Sequence, residues 1–325
     1  MERRFRRDHP LDRDDTTMPS PNRALVLGCG AVAGAAWQIA ILNELQQQLG
    51  WDARDARILI GTSAGAVLAT LLGAGVSIER MMASQRGETS DCQWNHDTDT
   101  GGAIPPLPRP GLSGARLFLH GLRREVSPLT AITGLLPVGR TDMQPMMNLI
   151  DRAVPTGRWV KHPATWLMAV NAASGQRVAL GRDDVDIPIN RAVCASYAVP
   201  GVCPPVQWQG STYLDGGIAS PASADMLIGT GVEEAIVLAP MASMQMDAPR
   251  SPLAKIERRV RRYMTSIVDR EVAQLRAAGI RVVRIDPGPE DLAAIGFNML
   301  DPGRRVRVFE TACGTAAKSV REALA

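Results

Sequence analysis

The first 75 residues contain two consecutive units in which an apolar strand runs into a glycine-containing turn and then into a helix. RALVLG (23–28) leads into GCGAVAG (28–34) and a helical pattern that stops at Gly50. ARILIG (56–61) leads into the small, apolar segment 63–75. Strands without a polar face belong to parallel sheets that are covered by helices on both sides. The chain is therefore predicted to be an α/β protein.

The rest of the chain continues with the same two patterns. Further strands are predicted over 165–173, 176–181, 206–217 (as a hairpin), 233–240 and 281–287. Further helices are predicted over 113–124, 142–153, 190–200, 252–278 and 304–324.

Two stretches lack periodic pattern and define the predicted domain organisation. Residues 1–22 have nearly balanced charges and no apolar run, which predicts a disordered N-terminal tail and makes Met18 an alternative start. Residues 87–112 are rich in Gly, Pro, Asp and Thr, which predicts a loop or lid insertion over about 87–130. The remainder, 23–325, is predicted to be one domain.

Composition argues against several functional classes. A net charge of +3 and an aromatic content of 4% do not favour nucleic-acid binding. Five cysteines without a CxxC pair do not indicate a disulfide framework or a zinc site. The N-terminus has no apolar signal region, and no apolar run approaches the ~20 residues of a membrane span. We expect a cytoplasmic protein, with peripheral contact at the inner membrane surface as a further option.

GTSAG, residues 61–65, places a serine where the second strand meets its helix. Gly61 and Gly65 allow a tight turn that would present the Ser63 hydroxyl at the carboxyl edge of the sheet, beside a helix N-terminus. This is the pattern of a nucleophile elbow. The alternative is that glycine and serine only turn the chain.

A nucleophilic serine needs a base, and histidine is the usual one. The four histidines are His9, His96, His120 and His162. The α/β-hydrolase order would place the catalytic histidine late in the chain, but no histidine follows residue 162. The best remaining candidate is Asp215, which ends an apolar strand and precedes Gly216 and Gly217. The alternative for Asp215 is an ordinary Asp-Gly turn.

The turn at 28–34 is the candidate oxyanion hole. With no side chains at Gly28 and Gly30, backbone N–H groups can converge on one point at the start of a helix. The alternative is a dinucleotide-binding turn. The glycines at 28, 30 and 34 differ by one residue from the G-x-G-x-x-G spacing of such a turn. In addition, the second strand leads into GTSAG, where a dinucleotide-binding fold would have an acidic residue.

Together the glycine-rich turn, GTSAG and, 152 residues after Ser63, DGG resemble the patatin-like phospholipase family. ASYAVPGVCPPV (195–206) and PGPEDLAAIGFNMLDPGRR (287–305) resemble it too, so the likeness spans about 23–310. The resemblance implies a three-layer α/β/α sandwich with a mostly parallel central sheet. It also implies hydrolysis of lipid acyl esters through an acyl-serine, without cofactor or metal.

The same resemblance implies the roles of individual residues. Ser63 would be the nucleophile, Asp215 the base, and the backbone of Gly28, Gly30 and Ala31 the oxyanion hole. The supporting motif glycines would be Gly61, Gly65, Gly216 and Gly217. The glycine turn lacks the basic residue usual in the family, so a second hypothesis stays open, a catalytically degenerate relative that binds lipids or a partner. The oligomeric state is not predicted.

Two groups of side chains are candidates for lipid contact. Methionines near the insertion would either line an acyl groove or fill the core; they are Met81, Met82, Met143, Met146 and Met147. Cations on the helix over 252–278 would either dock an anionic membrane or form a solvated face; they are Lys255, Arg258, Arg259, Arg261 and Arg262.

Overall fold

The computed structural model describes residues 22–88, 104–155 and 157–325. The predicted tail, apart from Asn22, and residues 89–103 of the predicted lid lie outside the described residues. The tail, the lid and the single-domain boundary therefore stay predictions.

Eight strands among the described residues form one sheet. They are β1 (Arg23–Leu27), β2 (Ile58–Thr62), β3 (Thr165–Asn171), β4 (Arg177–Leu180), β5 (Val206–Trp208), β6 (Ser211–Asp215), β7 (Glu234–Leu238) and β8 (Arg281–Ile285). Hydrogen-bonded neighbours follow the order β5-β6-β3-β2-β1-β7-β8, and β4 also pairs with β3. The pairs among β1, β2, β3, β7 and β8 are parallel, whereas β4, β5 and β6 pair antiparallel. The sheet is mostly parallel, as predicted.

Ten α-helices surround this sheet in the described residues. They are α1 (Ala31–Leu49), α2 (Ala64–Gly73), α3 (Ile78–Arg86), α4 (Ala115–Leu122), α5 (Pro128–Thr133), α6 (Gln144–Ala153), α7 (Ile189–Ser196), α8 (Pro252–Ala277), α9 (Pro289–Ile295) and α10 (Arg305–Leu324). The helices α3, α5 and α9 were not predicted from the sequence.

Alternate residues of β1 pack into two different hydrophobic cores. Leu25 belongs to the core that contains Trp37 of α1 and Phe309 of α10. Val26 belongs to the core that contains Val268 of α8. Successive side chains of a strand point to opposite faces of its sheet, so helices cover both faces. This confirms the α/β fold with three layers.

The pairing of β3 brings the carboxyl ends of two distant strands together. Met168 of β3 pairs with both β2 and β4, and Ala169 pairs with both β4 and β6. A strand residue has one neighbour on each edge, so β4 occupies one edge of β3 and β2 and β6 share the other. Because β2 runs parallel to β3 and β6 antiparallel, their last residues meet. Thr62 lies opposite Met168, and Asp215 lies opposite Ala169.

Candidate active site

Ser63 lies in the sharp turn between β2 and α2, in a backbone conformation that is rare for serine. Its φ is 56° and its ψ is −117°, and the residue is buried. A Cβ on Gly65 would lie 2.0 Å from the Leu27 carbonyl oxygen, and one on Gly61 would lie 2.4 Å from the Gly65 carbonyl oxygen. Only glycine permits this approach of strand and helix. Strained residues of this kind cluster at functional sites.

A serine on α7 holds this turn in place. The Ser63 N–H donates to Ser196 Oγ at 2.9 Å, and Ser196 Oγ donates to the Met168 carbonyl at 2.6 Å. Ser196 is fully buried and ties the turn to the β3 residue that pairs with the end of β2. Sequence reasoning missed Ser196, because its partner is 133 residues away and no local pattern links the two.

Asp215 ends β6 as predicted, with its carboxylate buried beside Ser63. The Gly217 N–H donates to Asp215 Oδ1 at 2.7 Å. Burial raises the pKa of Asp215 to about 7, although hydrogen bonds from the Ser63 side chain and the Gly217 N–H lower it. A Cβ on Gly216 would lie 2.5 Å from the Met168 carbonyl oxygen, so this glycine allows β6 to end against β3. The predicted hairpin is formed by β5 and β6, and the segment 216–218 that follows Asp215 is a 3₁₀ turn rather than an ordinary Asp-Gly hairpin turn.

The glycine turn offers fewer free donors than the sequence predicts. The Gly28 N–H donates to the Leu238 carbonyl at 2.9 Å, and the Cys29 N–H donates to the Pro221 carbonyl at 2.8 Å. The Gly28 N–H is therefore not free to bind an oxyanion, which differs from the prediction that Gly28 belongs to the oxyanion hole. For Gly30 and Ala31, no acceptor among the described residues bonds their N–H groups. Both line the same cleft as Ser63 and Asp215.

Buried polar side chains support the glycine turn from below. Gln38 Nε2 donates to the Gly28 carbonyl at 3.2 Å and to the Gly34 carbonyl at 3.2 Å. The Pro240 ring packs so closely that a Cβ on Gly30 would lie 2.8 Å from it. Arg261, 0% exposed, donates to the Pro240 carbonyl.

The burial of Arg258 and Arg261 corrects the prediction that the five cations of α8 form one exposed cluster. Arg261 and Arg258 point into the protein, where backbone carbonyls and carboxylates neutralise and solvate them. Arg258 donates to Asp247 at 2.5 Å and to the Leu292 carbonyl at 2.7 Å. Lys255, Arg259 and Arg262 remain exposed.

No histidine lines the cleft among the residues that the structure describes. His120 contacts Glu125 and the Ala173 carbonyl, and His162 contacts the Ala56 carbonyl just before β2 begins. His9 and His96 lie outside the described residues.

Two cavities adjoin the site. The first is an open cleft of about 380 Å³ that contains Ser63 and Asp215 and has mostly apolar walls from α5, α8 and the segment 297–300. The second has a volume of about 90 Å³ and lies among α1, α2, α3 and α6. It shares Ala31 with the cleft and reaches Ala64, the neighbour of Ser63.

The second cavity is almost wholly apolar. Its walls include Ile39, Leu68, Leu71, Met81, Met146 and Leu149. Of the five methionines considered as groove residues, only Met81 and Met146 line it. The others belong to the core or pack against it.

Comparison with known proteins identifies one family. The model of the family described as patatin-like phospholipase matches residues 25–228. The structure of VipD from Legionella pneumophila is similar at 13% identity and a TM-score of 0.43, over 93% of this chain and 67% of VipD. The type III effector protein ExoU is similar at 14% identity and a TM-score of 0.36, over 94% of this chain and 54% of ExoU. No curated protein sequence matches the chain.

Proposed function

We propose a function from one premise: the chain belongs to the patatin-like phospholipase family. Members of this family are lipid acyl hydrolases. We propose that this protein cleaves carboxylic esters of lipids with a dyad of Ser63 and Asp215. One observation carries the proposal: β2, whose last residue Thr62 directly precedes Ser63, and β6, which ends at Asp215, meet on the same edge of β3 at neighbouring positions of the register.

The proposed reaction begins when Asp215 accepts the hydroxyl proton of Ser63 and the Ser63 Oγ attacks the ester carbonyl carbon. The N–H groups of Gly30 and Ala31, and that of Ala64 at the start of α2, would stabilise the oxyanion. The carbonyl then reforms, and the C–O bond to the alcohol breaks as Asp215 returns its proton to the leaving oxygen. A pKa near 7 suits a carboxylate to both roles at neutral pH.

The second half of the reaction regenerates the serine. Asp215 takes a proton from water, and the resulting hydroxide oxygen attacks the acyl-serine carbonyl. The free fatty acid leaves as Ser63 Oγ recovers its proton from Asp215. The apolar cavity beside Ala64 would hold the acyl chain throughout, because its walls exclude water from that chain.

A panel of p-nitrophenyl esters with acyl chains of increasing length tests this function. Each methylene buried in the apolar cavity contributes about 0.8 kcal/mol, so kcat/KM is expected to rise roughly two- to fourfold per methylene until the cavity is full. The acetyl ester is the internal reference. Hydrolysis that does not depend on chain length would contradict the acyl-binding role, and binding without any hydrolysis would favour the degenerate relative.

We also infer that the first half of α8 contacts an anionic bilayer. Leu253, Ile256 and Val260 share one side of the helix and are 55%, 57% and 37% exposed. The exposed Lys255 and Arg259 lie beside them. Apolar residues flanked by cations suit the interface of an anionic membrane. Because Val260 also lines the cleft, this contact would bring the lipid to the site. Among the described residues, no helix has the length and hydrophobicity to cross a bilayer.

Neutralising this surface is expected to weaken binding to vesicles. Lys255→Gln/Arg259→Gln should lower affinity for phosphatidylglycerol-containing vesicles roughly 10-fold to 30-fold in a sedimentation assay, since each cation near such a surface is worth about 1 kcal/mol. The matched control is Arg270→Gln/Arg276→Gln, which removes the same charge from exposed positions further along α8. Equal losses in both variants, or equal binding to purely phosphatidylcholine vesicles, would contradict the inference.

A further inference from the structure

The loop that follows Asp215, residues 216–224, contacts both halves of the proposed site. It begins at the proposed base, and the Pro221 carbonyl in its middle accepts the Cys29 N–H at 2.8 Å. Cys29 immediately precedes the donors Gly30 and Ala31. The position of this loop therefore sets the separation between the carboxylate of the base and the N–H groups that would bind the oxyanion.

Glu271 of α8 is a buried carboxylate that the proposed reaction does not use, and it holds this loop on both sides of Pro221. Ser220 Oγ donates to Glu271 Oε1 at 2.5 Å, and the Ala224 N–H donates to Glu271 Oε2 at 3.0 Å. Ser220 Oγ in turn accepts the N–H groups of Ala222 at 3.2 Å and Ser223 at 2.8 Å. These bonds fix the backbone immediately around the Pro221 carbonyl.

The loop also carries backbone strain that needs such an anchor. Ser223 has a φ of 58°, in the left-handed region, and its buried hydroxyl has no hydrogen-bond partner among the described residues. A strained conformation persists only where its surroundings determine it strongly. Ser220 Oγ accepts hydrogen bonds from the N–H groups of Ala222 and Ser223, and Glu271 accepts one from the N–H group of Ala224; these bonds provide that determination.

Burying Glu271 is itself costly. Burial and the charge of Asp225 raise its pKa to about 7, whereas the bonds from Ser220 and the Ala224 N–H and the charge of Arg177 lower it. Arg177 pairs with Asp225 at 2.7 Å and lies 3.5 Å from Glu271. Glu271 also lies beyond the residues that the family model matches, 25–228.

We propose that Glu271 is a positioning residue for ester hydrolysis, which acts through Ser220 to hold the Pro221 carbonyl against the Cys29 N–H. In this way it would fix the donors of Gly30 and Ala31 at the correct distance from Asp215. The inference rests on the proposed function of Ser63 and Asp215.

The test compares kcat, KM and thermal stability of loop-anchor variants with a short p-nitrophenyl ester. Glu271→Ala is expected to lower kcat roughly 10-fold to 100-fold, because a misplaced donor loses its effect on the transition state. KM should change less than about threefold, since the donors bind the ground state weakly. Glu271→Gln keeps one acceptor and should restore part of the loss.

Ser220→Ala should reproduce the loss, and the double variant should be no slower than the slower single variant, because the two residues act in one chain of contacts. The matched control is Asp225→Asn, which disrupts the half-buried ion pair with Arg177 next to Glu271 and makes no bond to Ser220 or Pro221. It should lower thermal stability while kcat stays within about threefold of wild type.

Three results would overturn the positioning role. They are an unchanged kcat in folded Glu271→Gln and Ser220→Ala, additive losses in the double variant, and an equal loss of kcat in Asp225→Asn. If Glu271→Ala does not fold, Glu271→Gln and Ser220→Ala decide the question. Activity that survives Ser63→Ala in the same assay would instead reject the proposed function, so the two failures are distinguishable.

Discussion

Ser63→Ala is expected to lower kcat for a p-nitrophenyl acyl ester by about ten thousandfold or more, with the fold intact. No covalent intermediate can form without the hydroxyl, and loss of a serine nucleophile abolishes nearly all rate enhancement apart from that of the oxyanion hole. Alanine removes one buried oxygen while the bond from the residue 63 N–H to Ser196 can persist. Steady-state kinetics and thermal melting of the same preparation measure both effects.

The control for this variant is Ser211→Ala, which removes a hydroxyl from the start of β6, away from the cleft. It should retain wild-type kinetics. A Ser63→Ala protein that hydrolyses the ester at more than about one hundredth of the wild-type rate would show that another group is the nucleophile.

Asp215→Asn is expected to lower kcat/KM about a thousandfold at pH 8, because the amide cannot accept the Ser63 proton. In the wild-type protein, only the ionised carboxylate acts as the base. Its pKa near 7 predicts that kcat/KM rises with pH and levels off above about pH 7, rather than above the ordinary aspartate range. A profile that is already level at pH 5 would contradict this assignment.

Asp215→Asn is expected to lower activity but to raise thermal stability relative to wild type as the pH increases. The raised pKa means that folded Asp215 binds a proton between its ordinary pKa of 3.8 and about 7, where the unfolded carboxyl does not. The free energy of unfolding therefore falls as pH rises through this interval. Asn carries no such penalty, so the Tm of Asp215→Asn relative to wild type should increase by several degrees between pH 5 and pH 8. A constant Tm difference would contradict the raised pKa.

The local motifs of the site could be predicted from sequence, because their physical causes are local. Gly61 and Gly65 mark a strand and helix in close approach, and the run of small residues around Ser63 permits the sharp turn. The end of β6 at Asp215 follows from the change from an apolar strand to two glycines. The α/β class follows likewise from apolar strands that alternate with helices.

The supporting contacts could not be predicted, because they join residues that are distant along the chain. Ser196 bonds the Ser63 N–H across 133 residues, and Glu271 bonds Ser220 across 51. The Gly28 N–H donates to the Leu238 carbonyl only because β1 and β7 lie side by side. Arginine is usually a surface residue, yet Arg261 is buried near the glycine turn. There it donates hydrogen bonds to the carbonyls of Pro240 and Ala242, which are distant from it along the chain.

Labelling with a fluorophosphonate probe, followed by peptide mass spectrometry, tests most directly whether Ser63 is activated by Asp215. The probe reacts only with an activated hydroxyl, so wild-type protein should carry one adduct, on Ser63, and Asp215→Asn should react at least about a hundredfold more slowly. An adduct on a different residue, or equal labelling rates for the two proteins, would contradict the Ser63–Asp215 dyad.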